Sequence, residues 1–399
     1  MTLGRGRDME NRVCVVGIGL VESDEPLREF SHKELLFYAT KKAFADAGIE
    51  RKDITGAVTA TFDFLEGRSL SNQYTLDSIG GVMKPCDLRL GEDGICCFFA
   101  GCMEVMSDPS QLLVVASVQK ASERDPEGLG YQKLVASSME PLFSRPVCNS
   151  IPNLLYLEHV LAAMEARAFM ERTGVTEEHL GRVALKNLGN AANANNKTID
   201  LKTILGSELL SWPIRKMTKA KESDGACTLI LTSEKKAKAL LKDPIYVSGI
   251  GWCSGKSHLP SRQLGYAMET KWAAHQAYGM AGIVDPENEI DVAEVSDWYP
   301  HRELMHYEAL VLSPTDEIGA RIENGFFGKD GRLPINMSGG LLGRGNIIGT
   351  SGLIAVAKVA LQLQGLAGRL QVPRANVGLA QSWGGIPGAS AGVAILSRR

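Results

Sequence analysis

Two stretches of this chain recur in the same order at nearly the same distance. Val13-Cys-Val-Val-Gly-Ile-Gly19 returns as Ile245-Tyr-Val-Ser-Gly-Ile-Gly251, and Ala43-Phe-Ala-Asp-Ala-Gly-Ile49 returns as Ala277-Tyr-Gly-Met-Ala-Gly-Ile283, both about 230 residues later. Chance seldom preserves order and spacing together, so the chain reads as two similar α/β halves packed about a pseudo-two-fold axis. In each half a buried strand runs into a glycine turn, a helix follows, and a second strand comes next. That second strand is Gly56-Ala-Val-Thr-Ala-Thr61 in the first half and Asp291-Val-Ala-Glu-Val-Ser296 in the second. Ser31-His-Lys-Glu34 reads as a capping box opening the first helix, which Gly48 stops. The expected halves span 12–240 and 241–399, after a flexible terminus at 1–11. Residues from about 120 to 220 have no counterpart and read as an insertion laid over the site, with helical patterns at 151–172 and 176–192.

The second signal is a glycine cluster. Gly339, Gly340, Gly343, Gly345, Gly349 and Gly352 fall in one short window, followed by the apolar run Ile354-Ala-Val-Ala-Lys-Val-Ala-Leu-Gln-Leu-Gln364. A glycine loop that opens a helix presents free N–H groups and a helix dipole to whatever anion sits there. A dinucleotide fingerprint does not fit, because the third glycine comes one place late and the stretch lies far from any N-terminal βαβ unit. No Gly-Lys-Ser/Thr follows, which excludes a phosphate loop. Close packing of a core helix on a sheet accounts for some of the glycines in any case. The matching apolar segment of the first half is Gly94-Ile-Cys-Cys-Phe-Phe-Ala-Gly-Cys-Met-Glu-Val-Met106, apolar nearly all round and therefore a buried helix.

Composition narrows the function class. With 399 residues, 44% hydrophobic and 22% charged, the chain matches a soluble globular protein, and a net charge of −3 without a basic stripe argues against nucleic acid. The N-terminus shows no signal-peptide core, and the most apolar segment is too interrupted to span a membrane. None of the eight cysteines forms a C-x-x-C pair, and most lie in apolar surroundings. That usage fits a reducing cytoplasm and leaves no metal site expected in this chain.

The duplicated halves, Ser223-Asp-Gly-Ala226, the window Ser338-Gly-Gly-Leu-Leu-Gly-Arg-Gly-Asn-Ile-Ile-Gly-Thr-Ser-Gly352 and the terminal Gly384-Gly-Ile-Pro-Gly388 together resemble the thiolase superfamily. The likeness is to its sterol-carrier-protein-type and archaeal branch, and within it to members that work beside a small zinc-ribbon/OB-fold partner subunit, the benzoylsuccinyl-CoA thiolases among them. The resemblance implies a duplicated five-layered αβαβα fold with a helical insertion, and a homodimer. It also implies coenzyme A as a substrate, with no covalently bound cofactor, and cleavage or formation of a C–C bond in a β-keto acyl-CoA such as benzoylsuccinyl-CoA. Two further readings stay open: a non-catalytic scaffold subunit, and a retro-aldolase acting on a β-hydroxy acyl-CoA.

Thiolase chemistry needs a thiolate to attack a ketone, donors for the oxyanion and stabilisation of the departing enolate. Carried over residue by residue, the family's nucleophile position holds Gly91 in Gly91-Glu-Asp-Gly94, and its loop histidine is Asn346. Its Asn-Glu-Ala-Phe or His-Asp-Cys-Phe motif becomes Ser296-Asp-Trp-Tyr299, and its second cysteine or histidine is Gln381. Every standard side chain is replaced. The catalytic candidates are therefore His301, a general acid/base at a strand-to-helix corner, with Asn346, Tyr299 and Ser296. Gly91, Asp93, Gly345, Gln381, Trp383 and Gly384 are the candidate oxyanion and substrate contacts. Glu92 and Asp93 also read as helix caps. Cys96 and Cys97 read as core, Cys253 as strand-end packing, and His306 as packed within its helix.

Overall fold

In the computed structural model the described residues are 12–23, 25–62, 75–123, 157–191, 199–240, 243–256, 261–384 and 390–398. The expected flexible terminus, most of the first helical pattern's start, and the last residues of the terminal glycine motif lie outside them. The strands are β1 (Val13–Ser23), β2 (Gly56–Ala60), β3 (Cys86–Leu90), β4 (Leu112–Lys120), β5 (Leu209–Ser211), β6 (Ile214–Arg215), β7 (Asp224–Ser233), β8 (Ile245–Ser254), β9 (Val292–Glu294), β10 (Val377–Trp383) and β11 (Ser390–Ser397). The helices that matter here are α1 (His32–Ala47), α2 (Gly94–Ser107), α3 (Leu157–Thr173), α4 (Glu177–Ala191), α5 (Met268–Ala281), α6 (Pro300–Ala309), α7 (Gly340–Arg344) and α8 (Ser351–Gln364).

Nine strands run in the order β3-β2-β4-β7-β1-β8-β11-β10-β9, with β5-β6 as a separate hairpin. The join between β1 and β8 consists of two residue pairs, Cys14 with Tyr246 and Val15 with Ile245. Outward from that join both sides follow one pattern. β1 pairs antiparallel with β7, β7 with β4, and β4 runs parallel to β2; β8 pairs antiparallel with β11, β11 with β10, and β10 runs parallel to β9. The repeated sequence blocks are β1 and β8 with the helices that follow them.

Strand alternation sorts the side chains into layers. Val13 and Val15 point to the same core as α2 and α8, while Cys14 and Val16 pack with Leu35, Ala39 and Ala43 of α1. In the second half Ala394 and Leu396 face the α2/α8 core, and Val393 and Ile395 face Ala273 and Ala277 of α5. The result is five layers: α1, the first half's strands, the α2/α8 pair, the second half's strands, and α5. Helices α3, α4 and α6 add to the outer core on the α5 side.

The capping box at the start of α1 is present, with Glu34 N donating to Ser31 Oγ at 3.3 Å and Ser31 N donating to Glu34 Oε2 at 2.7 Å; Gly48 closes the helix at φ 64°. The repeated Gly-x-Gly of β1 and β8 has one cause in both halves. A Cβ on Gly19 would sit 1.9 Å from Ala39 O, and one on Gly251 would sit 2.2 Å from Ala273 O. Each helix therefore crosses its strand at backbone contact, a distance no side chain permits.

Replacing Gly19 or Gly251 by Ala is expected to cost about 1–3 kcal/mol in either half, since the helix must shift to admit the methyl group. Gly279→Ala, at an exposed interior position of α5 where a Cβ meets nothing within 4 Å, is expected to stabilise by about 0.5–1 kcal/mol instead. Denaturant midpoints of the three variants check both signs.

Candidate functional site

The site is built where strand ends, the glycine loop and two helix N-termini converge. The ends of β9 and β10, the loop from Gly340 to Gly349 and the first turn of α8 enclose a narrow cleft of about 30 Å³. Ser296, Asn346, Gln381, Trp383, Gly384 and Asp93 line it, with Phe62, Glu294, Trp298, Arg344, Ser351 and Ser382 among the other walls.

α2 begins at Gly94 because Asp93 caps it, its Oδ1 accepting from Ile95 N at 3.0 Å. Gly352 N and the Ser382 hydroxyl also lie towards this carboxylate and favour its charged form. Gly352 lies in the first turn of α8, whose own N-cap, Thr350, makes no side-chain cap. One buried carboxylate thus serves two helix N-termini. A Cβ at Gly352 would fall 1.9 Å from Asp93 Oδ1, so glycine is required for that approach. Burial pushes the Asp93 carboxyl above its ordinary value, against the pull of these hydrogen bonds.

The glycine loop is held from behind. Asp297 accepts from Leu341 N at 2.5 Å, Leu342 N at 3.1 Å and Asn187 Nδ2 at 2.6 Å. Glu303 accepts from Asn336 Nδ2 at 3.0 Å and pairs with Lys186 Nζ at 2.9 Å. Burial, and next the charge of Glu303, push the Asp297 carboxyl up to about 7. Gly345, at φ 95°, has no room for a side chain: its Cβ would meet Ser223 Oγ at 1.7 Å. Asn346 follows, 3% exposed, fixed by Asn346 N to Lys221 O at 2.6 Å and Ser223 N to Asn346 O at 3.1 Å. Its Oδ1 accepts from Ser351 Oγ at 2.9 Å, and its Nδ2 has no hydrogen-bond partner among the described residues.

Residues 253–398 match the family described as "Thiolase C-terminal domain-like". An acetyl-CoA acetyltransferase of Methanothermobacter thermautotrophicus is 28% identical over 97% of this chain and 99% of its own length. Over nearly its whole length the chain is thus similar to thiolases, and its C-terminal part matches their family model. A benzoylsuccinyl-CoA thiolase subunit, BbsB, of Thauera aromatica is 30% identical over a shorter stretch, 56% of this chain and 59% of its own. Among solved structures, an Ltp2-ChsH2(DUF35) aldolase superposes with a TM-score of 0.80 at 23% identity, over 98% of this chain and 100% of that one, which establishes the shared fold.

Within this thiolase fold the expected residues separate into two groups. Ser296, Asn346, Gln381, Trp383, Gly384 and Asp93 come together in the cleft, and Gly345 sets the turn before Asn346. Gln381 spends its amide on structure, its Oε1 accepting from Ser296 N at 2.9 Å and its Nε2 donating to Ser382 O at 2.9 Å. The ring of Trp383 lies 3.7 Å under the Arg302 guanidinium, and its Nε1 is buried without a partner. The remaining three lie elsewhere. Gly91 is exposed and outside the cleft lining; the side chain this segment sends into the cleft is Asp93, two residues on. The His301 ring is fully buried on α6, with Nε2 3.2 Å from Glu165 Oε2, and burial lowers its pKa. Tyr299 is buried beside it, its hydroxyl donating to Glu158. Pro300 starts α6 and turns both side chains towards α3 rather than the cleft.

No cysteine lines the cleft among the described residues. Cys96 and Cys253 line an adjoining apolar chamber of about 340 Å³, which shares Asp93, Ser382 and Gly384 with the cleft. Burial raises the pKa of both thiols, and Cys97 is packed in the core with Sγ 3.0 Å from Gly94 O. Residue-by-residue transfer missed Ser351, Ser382 and Glu294. Ser351 stands inside the glycine window and Ser382 beside Gln381, so proximity to the motifs was the available signal. No group of His, Cys, Asp and Glu among the described residues could hold a metal ion, and no helix among them is long and apolar enough to cross a membrane.

Asp297 generates a signed pH dependence. Its folded pKa lies above the ordinary carboxyl value, so its contribution to stability is present below about pH 4 and is lost as pH rises to about 7. The stability of the wild type minus that of Asp297→Asn is therefore expected to fall across that window and level off above it. Urea denaturation at half-unit pH steps checks this.

Proposed function

We propose that this chain makes or breaks a carbon–carbon bond beside a coenzyme A thioester by holding the thioester enolate, without an acyl-enzyme. The observation that carries this reading is a cleft whose donors are the unpaired Asn346 Nδ2, the Ser296 hydroxyl and the backbone around α8, with no thiol among its described lining. Preorganised donors in a water-poor site are what a developing enolate needs. Asn346 donates to the thioester oxygen but moves no proton itself.

Retro-aldol cleavage of a β-hydroxy acyl-CoA, or its reverse, fits these groups best, since it requires only proton transfer and enolate stabilisation. The thiols nearest the cleft are held protonated by burial, which speaks against covalent thiolysis. A second reading is thiolysis of a β-keto acyl-CoA by the thiolate of coenzyme A itself; the similarity to a benzoylsuccinyl-CoA thiolase subunit makes benzoylsuccinyl-CoA the substrate to try. We further propose a cytoplasmic homodimer working beside a small zinc-ribbon/OB-fold subunit. The DUF35 named with the aldolase supports the partner, and the exposed Leu88 and Met103 on the β3/α2 side support self-association.

Incubating the purified chain with β-hydroxy and β-keto acyl-CoA substrates, with and without the partner, tests the reading. Release of an aldehyde or ketone without consumption of coenzyme A marks the aldolase, and consumption of coenzyme A marks thiolysis. Asn346→Ala is expected to lower kcat/KM by about 10²–10³-fold, the size seen when one oxyanion donor is removed. Cys96→Ser is expected to leave turnover little changed. Full activity in Asn346→Ala, or no product from either substrate class, would remove the proposal.

A further inference from the structure

An aldol step needs a group that takes a proton and gives it back, and Asn346 cannot. Among the described residues lining the cleft, the ionisable side chains are Asp93, Glu294 and Arg344. Arg344 is paired with Glu22 and donates from Nε to Ser338 Oγ at 3.1 Å. Glu294 has both oxygens engaged, Oε1 by Ser338 N at 2.9 Å and Oε2 by Ser338 Oγ at 2.6 Å. Asp93 stands at the wall shared by the polar cleft and the apolar chamber. It is the one ionisable group that borders both.

We propose that Asp93 is the proton-transfer residue of this site, an inference that rests on the enolate reading above. In the cleavage direction its carboxylate takes the proton of the substrate's β-hydroxyl. The Cα–Cβ bond breaks, its electron pair passes into the thioester as the enolate, and the β-carbon becomes a carbonyl. The protonated Asp93 then returns the proton to Cα, leaving an acyl-CoA and an aldehyde or ketone. No oxidant, reductant or second substrate enters, so the step balances within the substrate and one carboxyl group.

Three features suit Asp93 to this task. The Ile95 amide, donating to Oδ1 at 3.0 Å, with Gly352 N and the Ser382 hydroxyl beside it, orients the carboxylate without supplying a counter-charge. Burial outweighs those hydrogen bonds, so the group sits above the usual carboxyl range and accepts a proton more readily than an exposed aspartate. On the same cleft wall Trp383 Nε1 is buried and unpartnered, an open donor directed by no protein group. The titratable groups near Asp93 are Glu92 and the thiols of Cys96 and Cys97; burial raises the pKa of each, and the α8 side presents only Ser351 and Gly352.

A purely structural Asp93 would be a helix cap, and Asn caps a helix about as well as Asp while being unable to accept the proton. The experiment is therefore exchange of the α-protons of propionyl-CoA in D₂O, followed by proton NMR, with the full-length chain. The wild type is expected to exchange them, with a rate that rises through a single ionisation. Asp93→Asn is expected to exchange at least about 100-fold more slowly, with the fold retained at a lower Tm and propionyl-CoA affinity close to wild type. Wild-type exchange persisting in folded Asp93→Asn would overturn the assignment while leaving the enolate reading intact. Absence of exchange in the wild type would overturn both. If Asp93→Asn does not fold, Asp93→Ser retains a capping hydroxyl and decides the matter by the same two outcomes.

Discussion

The structure depends on how two buried helices begin. α2 and α8 lie in the central layer, and a helix N-terminus there leaves N–H groups that water cannot reach. The two starts are tied to each other across the halves. Gly94 N at the head of α2 donates to Gly349 O in the glycine loop at 2.7 Å, and Gly349 O also lies 3.0 Å from Ser117 Oγ at the end of β4. The Asp93 carboxylate accepts from Ile95 N and lies against Gly352 in the first turn of α8. The cleft is the space left beside that meeting point.

Behind the glycine loop the protein invests in buried charge. Lys186 and Asn187 of α4, Glu303 of α6 and Asp297 form one connected network, and Gly339 and Gly343 let α7 approach Ala191 within backbone contact. Replacing such groups with apolar ones is often neutral or favourable for stability, while breaking one partner away is costly. Their value here is positional: they fix the loop that carries Asn346 to an orientation rather than to a depth of burial. The insertion helices are thus part of the site's foundation, although their side chains do not line the cleft.

Much of the architecture was legible because its causes are local or periodic. The repeat of strand, glycine and helix could be read from letters alone, and so could the two helices apolar on all sides. The glycine window signalled a tight approach, and Asn346 stood inside it. Other features depended on which way a short corner turns. Transfer by motif put the nucleophile position at Gly91, yet the segment enters the cleft at Asp93, since the capping geometry of α2 turns that side chain inward. His301 stood next to the right motif, and Pro300 starts a helix that directs it to Glu165 instead. Distance along the chain says little about direction at such a corner.

The sequence by itself determined the layered α/β halves and the placing of glycines where backbones must touch, because periodicity and the absence of a Cβ act on their own neighbours. Only the tertiary structure decided which polar groups share the cleft. Asp93 meets Gly352, Asn346 meets Ser351, and Ser296 meets Gln381 through contacts that mostly join distant parts of the chain. The reason is that a buried carboxyl or amide takes its character from the donors and the solvent exclusion around it, and those are set by packing between halves rather than by adjacent residues.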